Sequence, residues 1–338
     1  MNSSPKVSVL MPVYNGEQYI EQSIQSILNQ SFQDFELLVL DDGSADNTVS
    51  VIESIKDNRV RLFQNTENKG IVYSRNRLFD LAKANYLAFL DSDDISLPNR
   101  LEAQVSYLDN NQQCGLCGTW TDVIDKNDTT LLHWSFYQNH EDIIIEFLFG
   151  NHLVTSSVML NKNAIPIPLI FDPNYPVAED YKLWVDISHN SNLHIIPQTL
   201  TLYREHSAGI SKLENKLINE RIFAVVQLQL FHLLGQCTDQ DKHLHFSLIN
   251  NTKATYNVKT KELFHWIEKL ILNNSNVKYY SPSQLKVRLV DYLYEYIRKN
   301  DLTLGSLYLI LKNRMLSSTQ KRYLIKSFLR DKVNEYSK

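Results

Sequence analysis

A short acidic run, Asp91-Ser92-Asp93-Asp94, has the residue types and spacing that a metal site needs. It follows the apolar stretch 86–90, so two carboxylates would stand at the exposed end of a buried strand and repel each other without a cation. A hard cation such as Mg²⁺ or Mn²⁺ can bind carboxylate and diphosphate oxygens together. Acidic pairs also serve as helix caps, and Asp94 is placed to cap a helix that begins near Pro98. Both interpretations stay open on the spacing alone.

Polar and aromatic residues also follow two earlier apolar stretches. Pro12-Val13-Tyr14-Asn15-Gly16 comes after the first, and Asp41-Asp42-Gly43 comes after the second. Ligands of open parallel sheets bind outside the carboxyl ends of the strands, so these segments are expected to line one site. Neither segment has the G-x-G-x-x-G or G-x-x-x-x-G-K-[ST] pattern of a phosphate-binding loop. A carboxylate-bound divalent cation is therefore the natural means of holding phosphates here.

The first half of the chain must supply the elements that position these residues. It alternates short apolar stretches with amphipathic ones, which is the pattern of a parallel sheet built from βαβ units. Strands are predicted at Val7–Pro12, Glu36–Leu40, Val60–Gln64 and Tyr86–Leu90. Apolar residues at three- and four-residue spacing predict helices near residues 20–28, 49–55 and 71–81.

The pattern changes after residue 110. The predicted strands of this part are Cys114–Trp120, Thr121–Ile124, Ser157–Leu160, Leu193–Pro197 and Thr199–Arg204, and the predicted helices are His140–Phe149 and Glu179–Ile187. From about Lys212 onward the sequence is typical of helices. The sequence thus predicts an α/β domain over residues 1–211, in two parts (about 1–110 and 111–211), followed by a helical region over 212–338.

Composition excludes several classes of protein. With 43% hydrophobic residues in 338, the chain can build a core, and no stretch reaches the roughly 18 uninterrupted apolar residues of a membrane-spanning helix. Three cysteines cannot form a disulfide framework, and the first residues lead directly into a strand without a visible signal sequence. These features predict a cytoplasmic protein. The net charge of −4 disfavours nucleic-acid binding.

Four motifs in order resemble the family 2 inverting glycosyltransferases. The first is Val7 to Asn15 with Leu40 to Asp46, and the second is Phe89 to Asp94 with Pro98 and Arg100. The third is Ala178-Glu179-Asp180-Tyr181-Lys182-Leu183-Trp184, and the fourth is Tyr203-Arg204-Glu205-His206 through Ser211. The resemblance covers about residues 6–211 and implies a GT-A fold, in which a Rossmann-like, mostly parallel central sheet binds a UDP-sugar.

The resemblance implies a role for each matching residue at the donor. Tyr14 would stack near the base, Asp41 would accept a hydrogen bond from the uracil imide, and Arg75 would reach the base or the diphosphate. Arg204 would offset phosphate charge. The donor-binding set is Pro12, Val13, Tyr14, Asn15, Asp41, Arg75, Asp91, Ser92 and Arg204.

The same resemblance implies the catalytic chemistry. Mn²⁺ or Mg²⁺ would be held by Asp93, with Asp91 and His206 as further ligands. Asp180 would be the general base that takes the proton of the acceptor hydroxyl, and Glu179 would orient the loop or contact the acceptor. The structural alternative is that Glu179 and Asp180 only favour a helix N-terminus.

Similarity within the family indicates a substrate. Residues 141–152, 157–160 and 178–188 resemble bacterial β-1,3-N-acetylglucosaminyltransferases and related hexosyltransferases that extend lipooligosaccharides. This favours UDP-GlcNAc as donor and a terminal galactoside in surface glycan synthesis as acceptor. UDP-galactose, UDP-GalNAc and UDP-glucose are alternative donors. A non-catalytic glycan-binding relative is the rival from another class, and a nucleotidyltransferase would require a glycine- and arginine-rich loop that residues 12–16 lack.

The C-terminal residues are basic although the chain as a whole is acidic. Residues 285–338 hold 12 Lys and Arg against 5 Asp and Glu. The basic residues Lys312, Arg314, Lys321, Arg322, Lys326 and Arg330 alternate with the apolar or aromatic Tyr308, Leu309, Leu316, Tyr323 and Phe328. Such a helix could lie on the anionic inner face of the cell membrane, which is the expected place of a lipid-linked acceptor. A helical bundle that mediates homodimer contacts is the alternative.

Overall fold

The computed structural model describes residues 4–206, 215–250, 258–300 and 303–312, with short pieces at 318–319, 321–322, 325–326 and 328–330. The predicted domain boundary near Lys212, the end of the fourth motif at Ser211, and the tail residues Arg314, Leu316 and Tyr323 lie outside this part of the chain. By internal contacts the chain forms two compact units. The sheet unit comprises Met1–Ile144 and Asn151–Val225, and the helical unit comprises Ile145–Gly150 and Val226–Lys338.

The first half of the sheet unit is a run of βαβ units, as the sequence predicts. Its elements are β1 (Val7–Val13), α1 (Ile20–Leu28), β2 (Phe35–Asp41), α2 (Thr48–Ser54), β3 (Val60–Gln64), α3 (Ile71–Leu81), β4 (Tyr86–Phe89), β5 (Ile95–Ser96) and α4 (Arg100–Asn110). The parallel strands lie in the order β3-β2-β1-β4. Every residue of β1, β2 and β4 is buried, because a parallel sheet is covered on both faces.

The second half of the sheet unit continues the same sheet in mixed orientation. Its elements are β6 (Cys114–Ile124), β7 (Thr130–Trp134), α5 (His140–Glu146), β8 (Met159–Asn161), α6 (Glu179–Ser188) and β9 (Asn192–Arg204), with 3₁₀ helices at Thr155–Ser157 and Lys162–Ala164. The order continues as β8-β6-β9-β5, and β7 pairs with residues 121–124 of β6, beyond the part that pairs with β8. Here β6 and β9 are parallel, whereas β4 with β8, β6 with β8, β5 with β9 and β6 with β7 are antiparallel.

Several predicted boundaries in this half were wrong. The two extended segments of 114–124 form one strand, and the two strands predicted around Pro197 also form one, because the register shift against Thr119 and Trp120 accommodates the missing N–H. The helix predicted to run to Phe149 ends at Glu146, where the N–H groups of Leu148 and Phe149 donate to the carbonyls three residues earlier. The strand predicted from Ser157 begins at Met159.

The helical unit is all-α over its described residues. The helices that follow the sheet are α7 (Asn215–Leu234), α8 (Asp239–Asn250), α9 (Thr260–Val277), α10 (Pro282–Asn300) and α11 (Leu304–Lys312). α8, α9 and α10 pack against one another around buried residues of α9 such as Leu263, Trp266 and Leu270. Among the described helices, one stretch, Lys216–Leu234, passes a test of length and hydropathy for crossing a membrane, which core helices also pass.

Candidate active site

The carboxyl ends of β1, β2 and β4 lie side by side. β1 is the neighbour of both other strands, with Val13 opposite Asp41 and Leu10 opposite Phe89. The loops that leave these strands therefore meet at one edge of the sheet, as expected from the sequence. They carry Tyr14, Asp41 and the acidic run 91–94 to the same place.

Hydrogen bonds hold the loop after β1 against the loop after β2. The Asn15 N–H donates to Oγ of Ser44 at 2.8 Å, and Oδ1 of Asn15 accepts from the Ala45 N–H at 2.9 Å. Pro12 and Val13 are buried beneath the loop, whereas Tyr14 leaves 49% of its surface exposed. Asp41 is buried, and its carboxylate accepts from the Ser44 N–H at 3.3 Å. These two loops thus form a small recess with an exposed aromatic ring and a carboxylate.

Asp42 organises the next loop, a role that the sequence analysis missed. Its carboxylate is buried and accepts from Nδ2 of Asn65 at 2.6 Å, from the Lys69 N–H at 2.9 Å and from the Gly70 N–H at 2.8 Å. Gly70 has a φ of 87°, in the region that favours glycine, and it directly precedes α3. Asp42 therefore fixes the start of the helix that carries Arg75.

Arg75 connects the strand edge to the acidic helix α6. Its guanidinium donates to Asp91 at 2.9 Å and to Glu179, and it lies over the Phe171 ring with 5.6 Å between the guanidinium carbon and the ring centroid. Burial opposes its charge, but Asp91 and Glu179 raise the pKa of Arg75 overall. This contact brings the start of α6, and with it Asp180, to the end of β4. Its function as a donor ligand stays a prediction.

Burial raises the pKa values of Glu179 and Asp91, the two carboxyl groups that Arg75 joins. It raises the pKa of Glu179 to about 7, although Arg75 acts in the opposite direction. Burial also raises the pKa of Asp91; Arg75 counters this effect, and the neighbouring Asp93 adds to it. The site thus holds more acidic groups than its single bridging arginine balances.

Glu179→Gln is expected to change how stability depends on pH. The pKa of Glu179, about 7 in the folded chain against an ordinary value of 4.5, means that the folded state binds more protons between these values. The stabilising effect of protonation is complete below about pH 4.5 and is lost as the pH rises to 7. The melting temperature of the wild type relative to Glu179→Gln should fall from pH 5 to pH 8, and a relative rise would contradict the assignment.

Asp93 and His206 form the second part of the site. Nε2 of His206 lies 2.8 Å from Oδ2 of Asp93, and the imidazole packs against the Tyr19 ring with centroids 5.3 Å apart. Asp94 lies beneath this pair and accepts from the Arg204 N–H at 2.8 Å, so the helix-cap interpretation of Asp94 was wrong. α4 begins after Asn99 instead.

Arg204 supports the loop that carries Asp93. Its side chain is 1% exposed, and Nε donates to the backbone carbonyl of Asp93 at 2.8 Å. Nη2 donates to Oε1 of Gln22 at 2.9 Å, Nη1 pairs with Asp128, and the Tyr19 ring covers the guanidinium at 4.5 Å. The structure thus shows a bracing function for this residue, and its predicted phosphate contact stays a prediction.

Asp91, Asp93, Asp94 and His206 form an acidic pocket, and this pocket suits a divalent cation. Burial and the charges of Asp93 and Asp91 raise the pKa of Asp94 well above its usual range, and Oδ2 of Asp94 has no hydrogen-bond partner within the described chain. Asp93 and His206 offer a carboxylate and an imidazole side by side, and both are side chains that bind divalent cations. Asp91 is ion-paired with Arg75, and no three His, Cys, Asp or Glu side chains of the described residues gather as a preformed metal site.

Two hydroxyl residues of the 3₁₀ helix Thr155–Ser157 hold the acidic segments. Thr155 Oγ1 donates to Oδ2 of Asp180 at 2.7 Å, and Oγ of Ser156 accepts from the Asp91 N–H at 2.9 Å. The fully buried Arg100 donates to the carbonyls of Phe89 and Ser156. Only the position of Arg100 after the acidic run was visible in the sequence; the hydroxyl contacts join residues 25 to 65 positions apart.

Comparison with known proteins agrees with this geometry. Residues 8–165 match the model of the family described as "Glycosyl transferase family 2". An uncharacterized glycosyltransferase of Haemophilus influenzae is 34% identical over 65% of this chain and 72% of its own. The Escherichia coli UDP-Glc:α-D-GlcNAc-diphosphoundecaprenol β-1,3-glucosyltransferase WfgD is 31% identical over 56% of this chain and 72% of its own.

Solved structures show the same fold. TarS 1–349 of Staphylococcus aureus in complex with UDP-GlcNAc superposes with a TM-score of 0.58 at 17% identity, covering 96% of this chain and 92% of that one. This chain covers 53% of the longer TarS structure. The fold is that of a GT-A-like glycosyltransferase. The chain belongs to glycosyl transferase family 2, as the motifs predicted.

Proposed function

We propose that this protein transfers a hexose from a UDP-sugar to a hydroxyl group of a glycan acceptor, with inversion at the anomeric carbon. The observation that carries the proposal is the Arg75 bridge between Asp91 and Glu179, which places the candidate base Asp180 beside the acidic strand edge. Within this site the recess formed by Tyr14 and Asp41 would take the uracil ring. The acidic pocket would face the diphosphate.

The catalytic step requires a base on one side of the sugar and charge stabilisation on the other. Asp180 would take the proton of the acceptor hydroxyl while the hydroxyl oxygen attacks the anomeric carbon and the bond to UDP breaks. Asp93 and His206, with Asp91, would hold the cation. A bound Mn²⁺ ion would neutralise the charge that develops on the leaving diphosphate. Arg75 would keep the base and the pocket at a fixed separation.

For the sugar, we propose UDP-GlcNAc as the donor and a terminal galactoside of a bacterial surface glycan as the acceptor. The support is the resemblance of residues 141–152 and 178–188 to lipooligosaccharide enzymes, together with the UDP-GlcNAc complex of the TarS structure. The E. coli relatives WfgD and WfaP are named as glucosyltransferases, which makes UDP-glucose the rival donor. UDP-galactose and UDP-GalNAc are further alternatives.

Donor screening separates these possibilities. The purified protein would be incubated with Mn²⁺, each UDP-sugar, and either lactose or a GlcNAc-diphospholipid, with UDP release and product mass as readouts. GlcNAc transfer to lactose is expected. Glucose transfer to the diphospholipid alone would reject the substrate assignment but keep the transferase, whereas UDP-sugar binding without turnover on any acceptor would favour a non-catalytic glycan-binding protein.

We further propose that the protein acts at the inner face of the cell membrane as a peripheral protein, bound through its basic C-terminal helices. On α11, Tyr308 and Leu311 leave 54% and 48% of their surfaces exposed, and Nζ of Lys312 lies over the Tyr308 ring at 4.7 Å. Such exposed apolar residues beside a lysine suit an anionic lipid surface. Phe328, by contrast, is 3% exposed, so it would pack in protein.

Liposome sedimentation tests the membrane proposal. Binding to anionic vesicles is expected to exceed binding to neutral vesicles, because each basic residue near the surface contributes about 1 kcal/mol. Replacing Lys321, Arg322, Lys326 and Arg330 by Gln should remove most of the difference, and so should high salt. Equal binding to both vesicle types would contradict the proposal, and a dimer in light scattering that the same substitutions dissociate would favour the homodimer alternative.

A further inference from the structure

Asp180, the candidate base, has one carboxylate oxygen that is held by two side chains. Oδ2 accepts from Thr155 Oγ1 at 2.7 Å and from Asn151 Nδ2 at 3.1 Å. Oδ1 accepts from the following backbone N–H, that of Tyr181, at 2.6 Å, and no side chain of the described residues donates to it. Two donors on one oxygen fix the direction of the carboxylate and leave Oδ1 to receive a proton.

The two donors are themselves fixed by local structure. Oδ1 of Asn151 accepts from the Leu153 N–H at 3.0 Å, so the amide group of Asn151 is oriented with its NH₂ towards Asp180. Thr155 begins the 3₁₀ helix whose next residue, Ser156, accepts from the Asp91 N–H. Segment 151–156 therefore contacts both the candidate base and the strand end that carries the acidic run.

We propose that Asn151 and Thr155 are positioning residues for Asp180. This inference rests on the proposed function, because it gives Asp180 the base function assigned above. A base must be held within a fraction of an ångström of its productive position, and misplacement by about 1 Å can cost 10²-fold in rate. The amide of Asn151 and the hydroxyl of Thr155 therefore contribute to catalysis by orienting the carboxylate, without touching the substrate.

Substitutions at Thr155 test the inference. Thr155→Val removes the hydroxyl at nearly constant volume and is expected to lower kcat by about 10–100-fold, with UDP affinity and donor KM within about twofold of the wild type. Thr155→Ser keeps the hydroxyl and should retain kcat within about threefold. If Thr155→Val and Thr155→Ser have the same kcat, the hydroxyl does not position the base and the inference is wrong.

A structural readout separates this inference from the proposed function. In crystals of the wild type Asp180 should have a single side-chain conformer, and in crystals of Thr155→Val it should have more than one. This result would support the positioning claim even if the wild type transferred no sugar, in which case only the base assignment would fail. One unchanged Asp180 conformer in Thr155→Val would overturn the positioning claim whatever the activity.

Discussion

Asp180→Asn is expected to lower the turnover number for sugar transfer by about 10²–10⁴-fold. The amide has nearly the shape of the carboxylate but cannot take the proton of the acceptor hydroxyl. UDP affinity should stay close to that of the wild type, because Asp180 is assigned to the acceptor side of the sugar. Steady-state kinetics of transfer and calorimetric titration with UDP measure the two quantities separately.

Asp186→Asn is the matched control for this variant. Asp186 lies on the same helix and pairs with Lys182 at 2.5 Å, apart from the acidic edge. Its substitution should change kcat by less than about twofold. The base assignment is wrong if Asp180→Asn retains full turnover, or if both variants lose turnover in parallel with a loss of folded protein.

Asp93→Ala is expected to weaken UDP binding in the presence of Mn²⁺ by about 10²-fold, since a cation between carboxylate and diphosphate contributes several kcal/mol. The loss should disappear when both proteins are compared in EDTA, because the wild type would then lack the same interaction. Titration of each protein with UDP, with Mn²⁺ and with EDTA, measures the difference. The Mn²⁺ affinity of the UDP-bound protein should fall together with UDP affinity.

A second aspartate–histidine pair provides the control for Asp93→Ala. Oδ1 of Asp122 lies 2.6 Å from Nδ1 of His133 on the neighbouring strands β6 and β7, and this pair has no assigned part in donor binding. Asp122→Ala should leave the Mn²⁺-dependent part of UDP affinity unchanged. If Asp93→Ala binds UDP as well as Asp122→Ala does in Mn²⁺, the metal assignment fails.

The strands that build the donor edge could be predicted because they are buried on both faces. Such strands appear in the sequence as short continuous apolar stretches, and all four strands predicted in the first half ended within one residue of the predicted position. The motifs after them placed Tyr14, Asp41 and the acidic run at one edge for the same reason. Ala178, with a φ of 57°, precedes α6, whose start at Glu179 was also predicted.

The parts that escaped prediction depend on contacts between distant residues. β5 is only two residues long and pairs with β9, so it is too short to show a pattern. β7 is exposed throughout although three of its five residues are apolar, so no buried face marks it as a strand. Asn151 and Thr155 support Asp180 because the segment after α5 packs beside the start of α6. The local sequence does not show this contact, since the residues are 25 or more positions apart. Asp41 and Asp42 are adjacent residues of the same type, and only their hydrogen-bond partners distinguish them. The partners of Asp42 lie more than 20 residues away, so the sequence did not show its function.

The structure joins two acidic segments that have different proposed functions: the run 91–94 for the cation and the start of α6 for the base. Arg75 holds Asp91 and Glu179 together, so the acidic pocket and the candidate base are parts of one assembly. The polar support of this assembly comes from α3, the 3₁₀ helix Thr155–Ser157 and the end of β9. Changes in the residues that support Asp180, such as Thr155, should therefore alter turnover more than they alter the affinity for UDP.

The most direct measurement is a crystal structure with Mn²⁺ and an intact UDP-sugar, using a non-hydrolysable donor. The account predicts Mn²⁺ on Asp93 and His206 beside the diphosphate, with the Asp180 carboxylate facing the anomeric carbon from the side opposite to the leaving group. An Asp180 carboxylate on the same side as the diphosphate, or turned away from the sugar, would contradict in-line displacement assisted by this residue.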